Sequence, residues 1–167
     1  QQNGRDGRGC PGRGRRGSIL SLFVLLGVTT ALHADDWRML GGRPERNNVS
    51  AEKGIPVTWD GGATKKNIKW TADLGDVTYG SPVISDGRVF IGTNNDEPSS
   101  RQKRGVLKCF SEKDGRLLWR MVHEKLPDAA EDDSAIGICS TPCVSDGLVY
   151  YVSNRAELVC LKAENGE

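Results

Sequence analysis

The sequence predicts an all-β protein built from a repeated unit of short strands. Residues 81–87 (SPVISDG) return as residues 141–147 (TPCVSDG), and residues 109–115 (CFSEKDG) return as residues 160–166 (CLKAENG). An apolar run follows residues 81–87 and also follows their repeat at residues 141–147. A period of about fifty residues made of strands and tight turns is typical of radial or stacked β arrays, in which no unit buries its apolar faces alone.

Turn chemistry divides the first unit into four strands. Asp86-Gly87 lies between two apolar runs, which is the strongest short-range hairpin signal. Asp114-Gly115 makes a second tight turn later in the unit. The predicted strands are 82–85, 88–93, 106–111 and 117–123.

The second unit repeats this pattern as far as the sequence extends. Its predicted strands are 142–145, 148–153 and 158–162, and a fourth strand is expected beyond Glu167. Runs such as 89–91 and 148–152 are apolar at consecutive positions, as in strands that are buried on both faces. Four-stranded sheets stacked around an axis satisfy the turn spacing and this burial together. We therefore predict a partial β-propeller over residues 68–167, with one blade at 81–123 and an incomplete blade at 141–167.

The N-terminal part predicts an exported protein. Residues 1–17 form a Gly/Arg-rich run without apolar periodicity, so they are excluded from the fold. Residues 18–28 are apolar, follow several arginines and are too few to span a bilayer, as in the apolar region of a signal peptide.

Two cleavage positions fit the small-residue rule for signal peptides. Cleavage would follow Ala31 or Ala34, the second less neatly because Leu32 lies three places before the cut. The chain then divides into a signal region at 1–34, an N-terminal segment at 35–67 and the propeller repeats. We expect a periplasmic or extracellular protein whose mature chain has no transmembrane helix.

The charge balance argues against nucleic-acid binding. The chain has 23 basic and 22 acidic residues, but residues 1–34 contain five arginines and one acid, so the remainder has a net charge of −3. Binding to a phosphate backbone requires a clustered basic surface, which this part of the chain lacks.

Isolated reactive side chains favour structural roles. Cys109, Cys139, Cys143 and Cys160 are predicted to be small buried hydrophobic groups, because strand spacing keeps the nearest pairs too far apart for disulfides. Their spacing and the lack of nearby histidines do not fit zinc. His123 is predicted to be a surface residue on an edge strand, and it provides no basis for a Ser-His-Asp site.

The strand connections predict where a binding surface would lie. With the strands of a blade named A to D, tight turns join A to B and C to D on one edge, the turn rim. The B–C and D–A connections then share the opposite edge, the loop rim. The D–A connection lies within residues 70–81 in one copy and within 119–141, twice as long, in the next. The B–C connection lies within residues 87–109 in the first repeat and within the shorter 147–160 in the second. The length differences between the repeats therefore all fall on the loop rim.

Variation confined to one face of a repeat array usually marks a binding face. Two interpretations of these loops stay open: a pair of solvated loops of opposite charge, or a site for a ligand or partner. The candidate residues are Asn94, Asn95, Arg101, Lys103, Arg104, Asp128, Asp132 and Asp133.

A tryptophan motif gives the repeat a family resemblance. The spacing from Cys109 through Ser111, Asp114 and Gly115 to Trp119 resembles the tryptophan-docking repeat of quinoprotein propellers, Ala-x-Asp-x-x-Thr-Gly-x-x-x-Trp. Residues 160–166 repeat the pattern and predict a Trp four residues after Gly166. The structural docking residues are therefore Gly115, Trp119, Gly166 and the equivalent Trp70.

With the sequence around Trp37, Trp59 and residues 149–158, the chain from Asp36 to Glu167 is similar to the exported PQQ-like (pyrroloquinoline quinone) β-propeller proteins of bacteria. The resemblance implies seven or eight blades, with residues 68–70 as outer strand of the last blade. It also implies that the polypeptide continues into further blades.

The resemblance leaves the chemistry open, since the family includes calcium- and PQQ-dependent alcohol dehydrogenases as well as non-catalytic members. Those enzymes hold PQQ at the axis under an adjacent Cys-Cys disulfide, with an Asp base and acidic calcium ligands. This sequence has no adjacent Cys pair and no acid in a matching motif, so no catalytic residue is assigned. PQQ and calcium are expected only if further blades carry the pocket.

Two hypotheses about function follow. The first is a non-catalytic exported propeller that binds a protein or another envelope component through the loop rim. The alternative is a fragment of a PQQ- and calcium-dependent quinoprotein that oxidises alcohols or sugars. An adjacent Cys pair and an acidic calcium set in other blades would favour the alternative.

Overall fold

The computed structural model describes residues 35–95, 104–125 and 136–167, which form two antiparallel sheets and no helix. The first sheet has four strands in the order β1-β2-β3-β4, and the second has three in the order β5-β6-β7. The all-β class and the partial blades are thus confirmed, with strand bounds within one residue of those predicted. The strands are β1 (Val83–Ser85), β2 (Arg88–Thr93), β3 (Gly105–Ser111), β4 (Leu117–His123), β5 (Cys143–Ser145), β6 (Leu148–Val152) and β7 (Leu158–Lys162).

The two Asp-Gly turns have nearly the same backbone conformation. The φ angles are 49° and 72° at Asp86 and Gly87, and 51° and 75° at Asp146 and Gly147. Two successive positive φ angles characterise the type I′ turn, whose twist matches that of antiparallel strands. The repeat seen in the sequence is therefore a repeat of hairpin geometry.

The two sheets pack against each other through one buried row of the first sheet. Val83, Phe90, Cys109 and Trp119 are successive partners across its four strands. The rings of Phe90 and Trp119 lie 5.8 Å apart. Val149, Tyr151 and Leu161 of the second sheet complete the core on the other side.

The opposite face of the first sheet is also covered. Trp70 lies 6.4 Å from Phe110, measured between ring centroids. The Nζ of Lys108 donates a hydrogen bond to the carbonyl oxygen of Asp73 at 3.3 Å. Because both faces are covered, β3 is buried along nearly its whole length, including Lys108 at 4% exposed.

Hydrogen bonds at the strand ends hold the connections together as two opposite edges. On the turn rim, the amide of Glu112 donates to Gly87 at 2.9 Å, and the amide of Ala163 donates to Gly147 at 2.8 Å. On the loop rim, the amide of Arg104 donates to the carbonyl oxygen of Asn94 at 2.7 Å.

The cysteine prediction is wrong for part of the set. All four described cysteines are unbridged, but only Cys109 is buried, while Cys143 is half-buried and Cys139 and Cys160 are exposed. Burial raises the pKa of the Cys109 thiol to about 12. Cys160 is the positional equivalent of Cys109 but is exposed, whereas Cys109 belongs to the core between the two sheets.

Candidate functional site

The loop rim is fixed by side chains at the end of β2. The Oγ1 of Thr93 accepts a hydrogen bond from the amide of Gly75 at 2.9 Å and donates to the carbonyl oxygen of Val77 at 3.0 Å. The Oδ1 of Asn94 accepts from the amides of Asp76 and Val77 at 3.0 and 3.1 Å. The connection that leads into β1 is therefore anchored to the strand beside it.

The neighbouring amide extends this network. The Nδ2 of Asn95 donates to the carboxylate of Asp76 at 3.0 Å, and both Asn94 and Asn95 are fully buried. The loop pattern of the sequence predicts these two residues on a binding face, whereas their buried side chains form the framework of that face. Backbone amides in an irregular segment need partners when buried, and a short amide side chain at a strand end supplies them.

A salt bridge links both connections of the loop rim. The Nε of Arg104 lies 3.3 Å from Glu124 Oε1, with the Arg104 side chain 23% exposed and Glu124 68% exposed. Arg104 precedes β3 and Glu124 follows β4, so the pair joins the B–C and D–A connections. The other five candidates lie outside the described residues: Arg101, Lys103, Asp128, Asp132 and Asp133.

The docking residues meet in pairs, each pair joining one repeat to the next. The indole Nε1 of Trp70 donates to the carbonyl oxygen of Glu112 at 2.8 Å, in the turn between β3 and β4. The indole Nε1 of Trp119 donates to the carbonyl oxygen of Ala163 at 3.1 Å, in the equivalent turn after β7. The same indole contact therefore occurs twice, one repeat apart.

A glycine lies under each indole. A Cβ on Gly115 would come within 2.6 Å of the Trp70 ring, and one on Gly166 within 2.8 Å of the Trp119 ring. Both glycines also have positive φ, at 73° and 76°. Each position excludes other residues for two separate reasons, the backbone conformation and the space taken by the indole.

His123 forms a further contact between the sheets, although the sequence predicts a surface residue at this position. Its Nε2 lies 2.7 Å from the Oη of Tyr151, and the two rings are 5.7 Å apart. Burial lowers the pKa of His123, with Glu157 acting in the opposite direction and Arg155 lowering it further. Burial likewise raises the pKa of Tyr151. Both shifts favour the uncharged forms of the two side chains, an imidazole and a phenol.

Strand parity could have revealed this contact. His123 is four residues after Trp119 on one strand, so both side chains point to the same face. The surface prediction considered only that β4 is an edge strand. The structure shows that His123 is half-buried against the second sheet.

A segment before the repeats joins the first strands of both sheets. Trp37 pairs with Ile84 of β1 through two backbone hydrogen bonds of 2.9 Å each. The carbonyl oxygen of Arg38 accepts from the amide of Val144 in β5 at 2.8 Å. We call residues 36–38 the inner strap, because they lie along the free edges of β1 and β5.

A cavity of about 250 Å³ lies beside the inner strap. Its walls come from the strap, from the turn that follows it, from residues 49–52 and from β1. Carboxylates and a guanidinium face it together with an indole. The lining residues are Asp35, Asp36, Trp37, Gly42, Arg43, Val49, Ser50, Ala51, Glu52 and Ile84.

The described residues do not provide the donors of a calcium and quinone site. Within residues 35–95, 104–125 and 136–167, no group of three or more His, Cys, Asp or Glu side chains is placed to hold a metal ion. The four cysteines in these ranges are all unpaired thiols.

Comparison with known proteins identifies the repeat. A family model described as outer membrane protein assembly factor BamB matches residues 103–167. The outer membrane protein assembly factor BamB of Yersinia pestis is 26% identical over 105 residues. This alignment covers 60% of the chain and 24% of the relative, so the chain corresponds to about a quarter of that protein. In the described part of the chain, no helix has the length and apolarity to cross a membrane.

The stacked sheets, and the indole that docks on the same turn of each repeat, define the chain as part of a β-propeller. Residues 103–167 carry the PQQ-like repeat of the BamB type.

Proposed function

We propose that this chain is part of an exported, non-catalytic propeller that binds a protein or another component of the cell envelope through its loop rim. The observation that carries the proposal is the length difference between the two repeats. It falls wholly in the B–C and D–A connections. The turn rim, by contrast, keeps the same Asp-Gly geometry in both repeats.

The structure of the described loop-rim residues supports a binding role. Buried Thr93, Asn94 and Asn95 hold the base of the rim, and the contacts they make are internal. A rigid base that carries variable loops is the usual arrangement of binding surfaces, because the scaffold limits the entropy lost on binding. The candidate side chains further along the loops then recognise the partner.

The comparisons support the class of function and not its details. The Yersinia pestis relative is described as an outer membrane protein assembly factor, and a family model of the same description matches residues 103–167 of this repeat array. A role in assembling or organising envelope proteins is therefore the most direct proposal for this chain.

Charge reversal on the two rims tests the proposal. In the complete protein, Arg101→Glu with Lys103→Glu alters the loop rim but leaves the Arg104–Glu124 salt bridge intact. The matched control is Lys113→Glu with Arg116→Glu, which makes the same charge change at exposed positions on the turn rim. We expect chemical cross-linking in intact cells to give defined envelope adducts that the loop-rim variant loses and the control keeps. Equal loss in both variants, or in neither, would contradict the loop-rim assignment.

A cofactor titration separates this proposal from the dehydrogenase alternative. Isothermal titration calorimetry would measure the heat released when PQQ is added to the complete protein in the presence of calcium. A non-catalytic propeller gives no saturable heat. Stoichiometric binding would instead support a quinoprotein whose pocket lies in other blades.

A further inference from the structure

The first described residue makes a contact that bears on how the protein is processed. The main-chain nitrogen of Asp35 donates a hydrogen bond to the carboxylate oxygen Oε1 of Glu52 at 2.9 Å. Glu52 is held in place locally, since its own amide donates to the Oγ of Ser50 at 3.1 Å. Both Asp35 and Glu52 are exposed at the mouth of the cavity beside the inner strap.

The residues directly after Asp35 are fixed to the first repeat. The carboxylate of Asp36 accepts hydrogen bonds from Arg38 at 2.7 Å, from the Ser85 hydroxyl at 3.3 Å and from the Asp86 amide at 3.2 Å. Trp37 then pairs with Ile84. Cleavage on the C-terminal side of Asp36 would remove these anchors, whereas cleavage before Asp35 would leave all of them in place.

We propose that the bond between Ala34 and Asp35 is the processing site, and that the new α-ammonium group of Asp35 forms a salt bridge with Glu52. In this hydrolysis a water molecule supplies the oxygen of the new Ala34 carboxylate, and its two protons convert the amide N–H of Asp35 into an NH3+ group. An amide donor facing a carboxylate thereby becomes a cation facing a carboxylate, which strengthens the same contact. Of the two cleavage positions that the sequence allows, the structure favours the second.

The charged groups around the new α-ammonium group favour its position beside Glu52. The cavity wall carries the carboxylates of Asp35, Asp36 and Glu52 and the guanidinium of Arg43. Asp36 is already engaged by Arg38, which leaves Glu52 as the carboxylate in contact with the nitrogen. The processed terminus therefore tethers residues 49–52 to the inner strap.

The processing site is tested by determining the N-terminus of the protein recovered from the periplasm or medium of the producing cells. This inference rests on the export included in the proposed function. We expect mass spectrometry to find a mature chain that starts at Asp35. An exported chain that starts at Leu32 would overturn the processing site but leave export intact. A chain retained in the cytoplasm with residues 1–34 attached would overturn both.

A stability comparison tests the salt bridge separately. Glu52→Gln keeps the hydrogen-bond acceptor but removes its charge, and Glu45→Gln is a matched change at another exposed position. For a complete protein that starts at Asp35, we expect Glu52→Gln to raise the unfolding equilibrium constant about two- to fivefold, as for an exposed ion pair. The effect should disappear when an extra residue in amide linkage precedes Asp35. An equal effect in both forms would overturn the salt bridge.

Discussion

At the scale of single residues, two glycines with the same backbone conformation differ in whether an indole packs against them. Gly166 and Gly147 have nearly equal φ angles of 76° and 75°. A Cβ on Gly166 would meet the Trp119 ring, whereas a Cβ on Gly147 would meet nothing within 4 Å. The two positions therefore separate the cost of the backbone conformation from the cost of the clash.

We predict that Gly147→Ala lowers the free energy of unfolding by about 1 kcal/mol, the cost of a left-handed conformation for a residue with a Cβ. Gly166→Ala should cost about 1–3 kcal/mol more, because the indole must also move. Urea unfolding of the complete protein measures both. Equal losses would show that Trp119 does not occupy the surface of Gly166.

His123 gives a prediction about pH. Its pKa is lowered in the folded protein, chiefly by burial. The unfolded chain, with a histidine pKa of about 6.5, therefore binds a proton before the folded chain does. The free energy of unfolding should be unaffected by His123 well above pH 6.5. It should fall as the pH drops from about 6.5 through the lower folded pKa, and then level off with respect to this group.

The variant His123→Gln can still bond to Tyr151 but does not titrate. Unfolding free energies of both proteins between pH 8 and pH 5 isolate the histidine, because carboxylate titrations are common to both. We expect the wild type to lose more stability than the variant on acidification. Parallel curves would show that His123 is solvated in the folded protein.

At the scale of elements, the inner strap is anchored mainly through Asp36. Asp36→Ala removes an acceptor used by Arg38, Ser85 and Asp86. We predict a loss of about 1–3 kcal/mol in the free energy of unfolding, because hydrogen bonds to a charged carboxylate are lost, although the Ser85 hydroxyl keeps the Asp86 carboxylate as an acceptor at 3.2 Å. Asp35→Ala is the control, since only the main chain of Asp35 is hydrogen-bonded to a described residue. Hydrogen exchange at the Trp37 and Ile84 amides should quicken in the first variant alone.

The strands were predictable because local rules determine them. Asp86-Gly87 and Asp146-Gly147 specify the turns, and consecutive apolar residues such as 89–91 specify strands between two packed layers. The inner strap was not predicted as a sheet element. Trp37 and Arg38 show no alternation, and their partners Ile84 and Val144 are far away in sequence.

Contacts between residues far apart in sequence also explain why the burial of Asn94 and Asn95 on the loop rim was not predicted. Asn94 and Asn95 have a composition typical of a surface loop, but they are buried because Asp76 and Val77 pass over them. No short-range pattern shows that a segment from an earlier part of the chain will need their amides. Polar residues at strand ends are therefore ambiguous between ligand binding and loop anchoring until the tertiary contacts are known.

At the scale of the whole molecule, the repeats are coupled through specific indole–glycine pairs. A double-mutant cycle of Trp119→Phe with Gly166→Ala should give an interaction energy of about 0.5–3 kcal/mol, because the smaller ring relieves the clash with the new methyl group. The cycle of Trp70→Phe with Gly166→Ala should be additive within about 0.5 kcal/mol, since Trp70 contacts the other repeat turn. Unfolding free energies of the complete protein supply both cycles. Equal interaction energies in the two cycles would indicate that the substitutions destabilise the whole fold and do not disrupt one specific indole–glycine contact.

The direction of indole docking gives the chain an order of assembly. Trp70 uses the turn of the first repeat, and Trp119 uses the turn of the second, so each indole waits for residues that are synthesised later. During synthesis the Trp119 indole therefore lacks its partners until residues 163–166 have been added. The turns of the two repeats thus each cover an indole from the preceding segment, so these two contacts can form one after the other, in the order in which the chain is synthesised.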